Sequence, residues 1–378
     1  MPLLSLDDDA LFLIVSYLHG SDAINFSLCA RHAYAIVISR VAAVGRVVGS
    51  ARFHEMCKAL LVGPAPLARH IKVLSVGSPA LADARGPHGV ATHAVRLLCE
   101  LLLQARGLRE LELSRFEPCL EHDRSIEEAV ASLTHLTHLE LSTISNTTLS
   151  LIPHWEAARG LRELKLCFPP PHASPPSISL ASPISALPSL PNMRCLELRN
   201  VASPSLQADD QSPSSRTLLH PAVQSLHLIH CCVAALDVVQ LFPNLQELSF
   251  LLPQVRDDEG GYEDCDPGPN SEGPVWTSLH RLTLSSVHAV PCLLRRLSSV
   301  DHVQILGTLD LSLLPYHPSG DDEADEIYFG EVWALHALLR AASPVKLSAT
   351  LGIDRKVDRK STRLNSSHSG ESRMPSSA

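Results

Sequence analysis

Aromatic residues are scarce in this chain. At 4% of 378 positions, Phe, Trp and Tyr offer few rings on which nucleic-acid bases stack. Positive charge is short as well: 31 Lys and Arg face 40 Asp and Glu, and a formal charge of -9 repels a phosphate backbone. No nucleic-acid partner is expected. The sequence has no Cys-x-x-Cys pair. Its ten cysteines are scattered, with only Cys231 and Cys232 adjacent, in a chain long enough to fold without covalent staples, so reduced thiols and a cytoplasmic or nuclear setting are expected. Asp7-Asp8-Asp9 stands where a secretory signal needs positive charge, and the apolar run from Ala33 to Gly49 is broken by Arg40 and Arg46. Neither a leader nor a membrane span is expected, and Asn146-Thr147-Thr148 is then a chance sequon. Dinucleotide fingerprint, Walker loop, nucleophile elbow and His-Glu-x-x-His motif are all missing, so neither an enzyme nor a cofactor is expected.

What the sequence does contain is repetition. Gly107-Leu108-Arg109-Glu110-Leu111-Glu112-Leu113 returns almost word for word as Gly160-Leu161-Arg162-Glu163-Leu164-Lys165-Leu166. Written as apolar-x-x-apolar-x-apolar, the pattern also fits Ile71/Leu74/Val76, Leu136/Leu139/Leu141, Met193/Leu196/Leu198, Val223/Leu226/Leu228, Leu245/Leu248/Phe250, Leu279/Leu282/Leu284 and Val300/Val303/Ile305. The middle anchors are spaced irregularly, by 21 to 37 residues. The last three positions of each copy alternate like a short strand with one buried face, and enough chain follows for a loop and a helix. One such unit cannot bury its own apolar side, so the copies must stack. The pattern resembles leucine-rich repeats, with a period of roughly 20–29 residues. The resemblance implies an α/β solenoid with parallel strands on its concave face. The position three beyond each strand, usually Asn or Cys in that family, is Pro79, Phe116, Ile144, Pro169, Val201, Cys231, Pro253 and Val287, so the family's asparagine ladder is absent.

A different period precedes the array. Asp7 to Asp9 offer helix-start acids, and Leu11, Ile14, Val15 and Leu18 follow at i, i+3, i+4, i+7. Ser21-Asp22 opens a second helix with Ile24, Phe26, Leu28 and Cys29, and the stretch from Ala35 to Val48 reads as a third. Leu6-x-x-Asp9-x-Leu11-x-x-Ile14-Val15-Ser16-Tyr17-Leu18-x-x-x-Asp22, followed by Phe26-Ser27-Leu28-Cys29-Ala30-Arg31, resembles an F-box, with Asp7 where that family has Pro and Asp9 where it has Glu. The resemblance covers about the first 45 residues. It implies docking on the Skp adaptor of a cullin-RING ubiquitin ligase. Leu6, Leu11, Ile14, Val15, Leu18, Ile24 and Leu28 become candidates for the adaptor face and the adjoining helical core. A three-helix unit of this size is near the lower limit for a self-sufficient core, so leftover apolar surface is expected to dock elsewhere.

The expected organisation is a helical module over 1–50, a linker or cap over 51–69, a repeat solenoid over 70–353 and a disordered tail over 354–378. Helices are predicted at Arg52 to Leu61, Ala91 to Gln104, Ser125 to Leu133 (opened by the capping box Ser125-x-x-Glu128), Leu149 to Ala158, Ala234 to Phe242, Cys292 to Leu297 and Ile327 to Ala341. Pro169 to Pro191, Ser203 to Ser215, Arg256 to Pro274 and Asp321 to Glu326 read as solvated loops. Asp358 to His368 and Ser372 to Ala378 resemble an in-frame translation of a short-read sequencing adapter, so 358–378 is set aside from fold reasoning; without it the formal charge is -11.

The residues between the strand anchors form the candidate binding face: Glu110, Glu112, His138, Glu140, Glu163 and Lys165, then Glu197, Arg199 and His227, then Glu247, Arg281 and Thr283. Six acids against three bases make a mildly negative strip, which would steer a basic peptide. His135-x-x-His138 and His227-x-x-His230-Cys231-Cys232 have metal-ligand residue types, but both overlie a repeat strand, where neighbours alternate faces and four ligands do not converge. Asp257-Asp258-Glu259 lacks the twelfth-position Glu of a calcium loop, having Gly268 there. The function expected is that of a non-catalytic substrate receptor. Its alternative is a repeat scaffold whose helical cap has no ligase role.

Overall fold

The nine apolar triplets meet in space. In the computed structural model they are consecutive strands of one open, 11-stranded parallel sheet ordered β1 to β11 along the chain. The structure describes residues 6–18, 20–62, 67–82, 91–169, 190–201, 220–231, 239, 241–251, 279–285, 293, 297, 299–306 and 335–349. The strands are β1 Val44–Val47, β2 Val73–Val76, β3 Glu110–Leu113, β4 His138–Ser142, β5 Glu163–Cys167, β6 Cys195–Arg199, β7 Ser225–Ile229, β8 Glu247–Leu251, β9 Arg281–Leu284, β10 His302–Ile305 and β11 Lys346–Ala349. Register is kept throughout. Leu74 pairs with Leu111, Leu111 with Leu139, Leu139 with Leu164, and the row runs on through Leu196, Leu226, Leu248 and Leu282 to Val303. None of these nine side chains is more than 2% exposed. A slip of one residue would turn the whole row to solvent, at roughly 1.5–3 kcal/mol per leucine. The architecture is α/β and compatible with a solenoid.

Helices cover the other side of this leucine row. They are α4 Ser50–Leu61, α5 Ser78–Leu81, α6 Thr92–Gln104, α7 Phe116–His122, α8 Ser125–Ala131 and α9 Asn146–Leu151. In α6, Val95, Leu98 and Leu102 recur at i, i+3, i+7 and are fully buried, and α4 buries Phe53, Cys57 and Leu60 at i, i+4, i+7. Where the leucine-rich pattern would place asparagine, Phe116, Ile144, Val201 and Cys231 are buried, so apolar side chains fill that row.

Several expectations are corrected. The stretch Ala35 to Val48 is not one helix: it ends at Val41, and Val44–Val47 joins the sheet as its first strand. Within 51–69, expected as a linker or cap, the helix predicted at Arg52 to Leu61 is α4, and its Phe53, Cys57 and Leu60 belong to the main core. Ser125 does not cap α8. Arg124 holds the cap position, the Asp123 carboxylate accepts from the Ser125 amide at 3.0 Å, and the Ser125 hydroxyl turns to Cys99 Sγ at 3.3 Å. The helix predicted from Leu149 to Ala158 is α9 followed by two 3₁₀ turns, Ile152–His154 and Glu156–Gly160, with Pro153 interrupting the run. Residues 335–342 are helical; most of the predicted helices at 234–242 and 292–297, residues 327–334, the tail and nearly all of the four loops lie outside the described residues.

The N-terminal module has a small core of its own. Helices α1 Asp8–Tyr17, α2 Gly20–Ser27 and α3 Arg31–Val41 close around Leu11, Val15, Ala23, Ile36 and Val37. Asp7 caps α1 by accepting from the Ala10 amide at 2.7 Å, and Arg40 Nη2 reaches the Leu18 carbonyl at 3.0 Å, pinning α3 to the end of α1.

Candidate functional site

The face of the sheet opposite the leucine core is built from the residues between anchors, set in rows by the register. One row contains Val73, Glu110, His138, Glu163, Cys195 and Ser225, and the next Ser75, Glu112, Glu140, Lys165, Glu197 and His227. A pocket of about 320 Å³ opens over β1 to β5, lined by Arg46, Ser75, Glu110, Glu112, His138 and Glu140 among others. Every sequence-nominated face residue stands in these rows or on β6 to β9 beside them. Glu197 and Thr283 are buried, and Glu110, Glu112 and Arg281 are exposed.

The acids of this face are largely answered from within. Glu163 receives Lys165 at 2.9 Å and His138 at 3.3 Å, Arg199 reaches Glu140 at 3.7 Å and also bonds Glu197, and Arg281 meets Glu247 at 3.5 Å. Burial raises the Glu140 carboxyl above its usual range, although Arg199 opposes the shift. Burial works against the Lys165 ammonium, yet its bond to Glu163, with Glu197 and Glu140 nearby, carries it above its ordinary value. Glu110 and Glu112 are the two acids lining the pocket with no ion pair among the described residues. The negative strip inferred from composition therefore narrows to these two carboxylates on β3.

The histidine and cysteine motifs do not converge. His138 bonds Glu163, His135 is exposed at the turn before its strand, His227 contacts the Ser225 hydroxyl at 3.0 Å, and Cys231 is buried with its thiol on the Leu198 carbonyl at 3.4 Å. Among the described residues, no group of three or more His, Cys, Asp or Glu side chains is placed to hold a metal. Cys232 and Asp257 to Gly268 lie outside them. Burial pushes the Cys57 and Cys119 thiols up to about 12, which leaves them protonated and unreactive near neutral pH.

In the helical module, the nominated residues divide. Leu11 and Val15 are core residues and present nothing to a partner; Leu6, Ile14 and Leu18 are half-buried; Leu28 is 77% exposed. The side chain of Ile24 lies outside the described residues. The large apolar side chains exposed among the described residues of the module are Phe12, Leu13 and Tyr17 on α1, Leu28 after α2 and Tyr34 on α3. The first three fall between the positions that the helical period marks as a stripe, so only the docking of α3 onto Leu11 and Val15 reveals them.

A scan of protein-family models finds no match to this chain, and a search of curated proteins finds none either.

Proposed function

We propose that this chain is the substrate-recognition subunit of an SCF-type cullin-RING ubiquitin ligase, with an F-box at its N-terminus and leucine-rich repeats behind it. The F-box docks on the Skp adaptor, and the repeat face holds a target protein. The observation that carries this reading is the division of the chain into two kinds of surface. A three-helix unit with a separate five-residue core leaves Phe12, Leu13, Tyr17 and Leu28 in solvent, and an in-register sheet leaves a polar face and a pocket open. Four large apolar side chains left exposed on so small a unit suit a docking surface, and the motif resemblance names its partner. The role is proximity: held beside a ubiquitin-charged enzyme supplied by another subunit, a target meets it at high effective concentration. No helix among the described residues is long and apolar enough to cross a membrane.

A second reading has its own support. Only Ala42 and Ala43 separate α3 from β1, and the Lys72 amide donates to the Ala43 carbonyl at 2.7 Å, so the ladder of the sheet begins directly after α3 and the helices adjoin its end as the cap of a scaffold would. Co-purification with a recombinant Skp adaptor separates the two. Capture by the wild type, and its loss in Tyr17→Asp/Leu28→Asp, supports the ligase subunit; no capture by a folded wild type leaves the scaffold.

A further inference from the structure

Seven cations of this sheet lie not on its face but along the edge where the strands begin. Just ahead of each strand, one residue continues the ladder. The Arg109 amide donates to the Lys72 carbonyl, Thr137 to Arg109, Arg162 to Thr137 and Arg194 to Arg162, each at 2.8 Å. Strand spacing of about 4.8 Å therefore sets Lys72, Arg109, Arg162 and Arg194 in a row. A second row lies three residues upstream. Ala68, Ala105 and Ala158 are buried, and each carbonyl accepts from the amide three residues on, so the same turn recurs and holds Arg69, Arg106 and Arg159 in equivalent places. All seven cations are exposed, and none has an ion pair among the described residues. Their field is felt locally: burial first, then Arg69 and Lys72, lowers the basicity of His70 between them.

We infer that this double row of cations, along the strand-entry edge of β2 to β6, is a docking track for an extended acidic peptide of a partner protein, rich in Asp and Glu. The track spans five strands, about 19 Å, which about six extended residues cover. Cations distributed along such a line match a string of single carboxylates rather than one phosphate, which needs two or three donors converging in a pocket; the pocket over β1 to β5 includes none of the seven. A nucleic acid fits poorly. No aromatic side chain interleaves the cations among the described residues, and Glu110 and Glu163 follow Arg109 and Arg162 directly, so a broad polyanion would overlap carboxylates that a single peptide chain avoids. The inference deepens the receptor reading by naming a target chemistry, and depends on that reading only for calling the peptide a target.

The test is fluorescence anisotropy on the full chain with a labelled peptide of alternating Glu and Ser, beside its Gln counterpart, a Gln counterpart carrying one phosphoserine, and a single-stranded oligonucleotide of matched charge. The Glu peptide is expected to bind, to weaken steeply with salt, and to weaken by about tenfold in Arg109→Glu/Arg162→Glu, while Arg109→Lys/Arg162→Lys retains binding. Both pairs are exposed, and an unchanged circular dichroism melt verifies that the fold survives. Equal binding of the Gln peptide, tighter binding of the phosphopeptide or oligonucleotide, or indifference to charge reversal overturns the inference. Adaptor capture reads the helical module and anisotropy reads the track, so the failure of either is distinguishable from failure of the other.

Discussion

The carbonyl oxygen of Leu136 lies 3.0 Å from where a Cβ on Gly160 would stand. Two successive repeats therefore touch backbone to backbone at their turns, and the glycine repeated in the sequence at 107 and 160 is, at 160, a stacking requirement. Gly160→Ala must push the turn away from its neighbour and is expected to cost about 1–3 kcal/mol. Gly49 meets nothing within 4 Å, so Gly49→Ala meets no clash and is expected to cost only the difference between Gly and Ala at the N-cap of α4, below about 1 kcal/mol. Urea denaturation of the two variants checks the contrast; equal midpoints would contradict the close packing at Gly160.

The leucine row is the second point of test. Leu139 is 1% exposed and lies between Leu111 and Leu164. Leu139→Ala is expected to cost about 2–5 kcal/mol, whereas Glu112→Gln, on the exposed side of the neighbouring strand, stays within about 0.5 kcal/mol. Similar losses from both would mean that the two faces have been assigned the wrong way round.

Much of this architecture was legible in local sequence. Leu111, Leu139 and Leu164 announce themselves through an alternation contained within six residues, and stacking follows because no unit can bury its own side. The two outer strands escaped notice for local reasons as well: Gly45 stands where β1 should show its middle anchor, and β11 ends on Ala349 with Leu347 still 45% exposed. Electrostatics was legible only as composition. Arg199 reaches Glu140 across two strands, and the cations at 72, 109, 162 and 194 align only once register is known. Serine at 125 looked like a cap because the motif ignores Asp123, which lies two residues earlier and bonds the same helix end.

Glu197 offers a charge test. Its side chain is 9% exposed and bonds Arg199, so Arg199→Ala leaves a buried carboxylate without its cation. The expected cost is about 1–3 kcal/mol, and Glu197→Gln in the Arg199→Ala background should recover part of it. Additive losses in this double-mutant cycle would show the pair to be uncoupled.

His220 predicts a pH dependence. It is 5% exposed, its ring packs 5.6 Å from Phe242, Nε2 has no hydrogen-bond partner among the described residues, and burial lowers its basicity. The unfolded chain therefore binds a proton that the folded chain resists. Stability is full above the unfolded value of about 6.5 and falls as pH drops from there toward the lower folded value. Denaturation midpoints between about pH 7.5 and 5 should decline less in His220→Phe than in wild type, and identical declines would remove His220 as the cause.

The most direct measurement of the central claim is adaptor binding by the helical module of the intact chain. By calorimetry against a purified Skp adaptor, wild type is predicted to bind, Tyr17→Asp/Leu28→Asp to lose binding while keeping its melt, and Arg109→Glu/Arg162→Glu to bind as wild type does. A folded wild type that gives no heat with the adaptor, or a Tyr17/Leu28 variant that binds undiminished, would contradict the account.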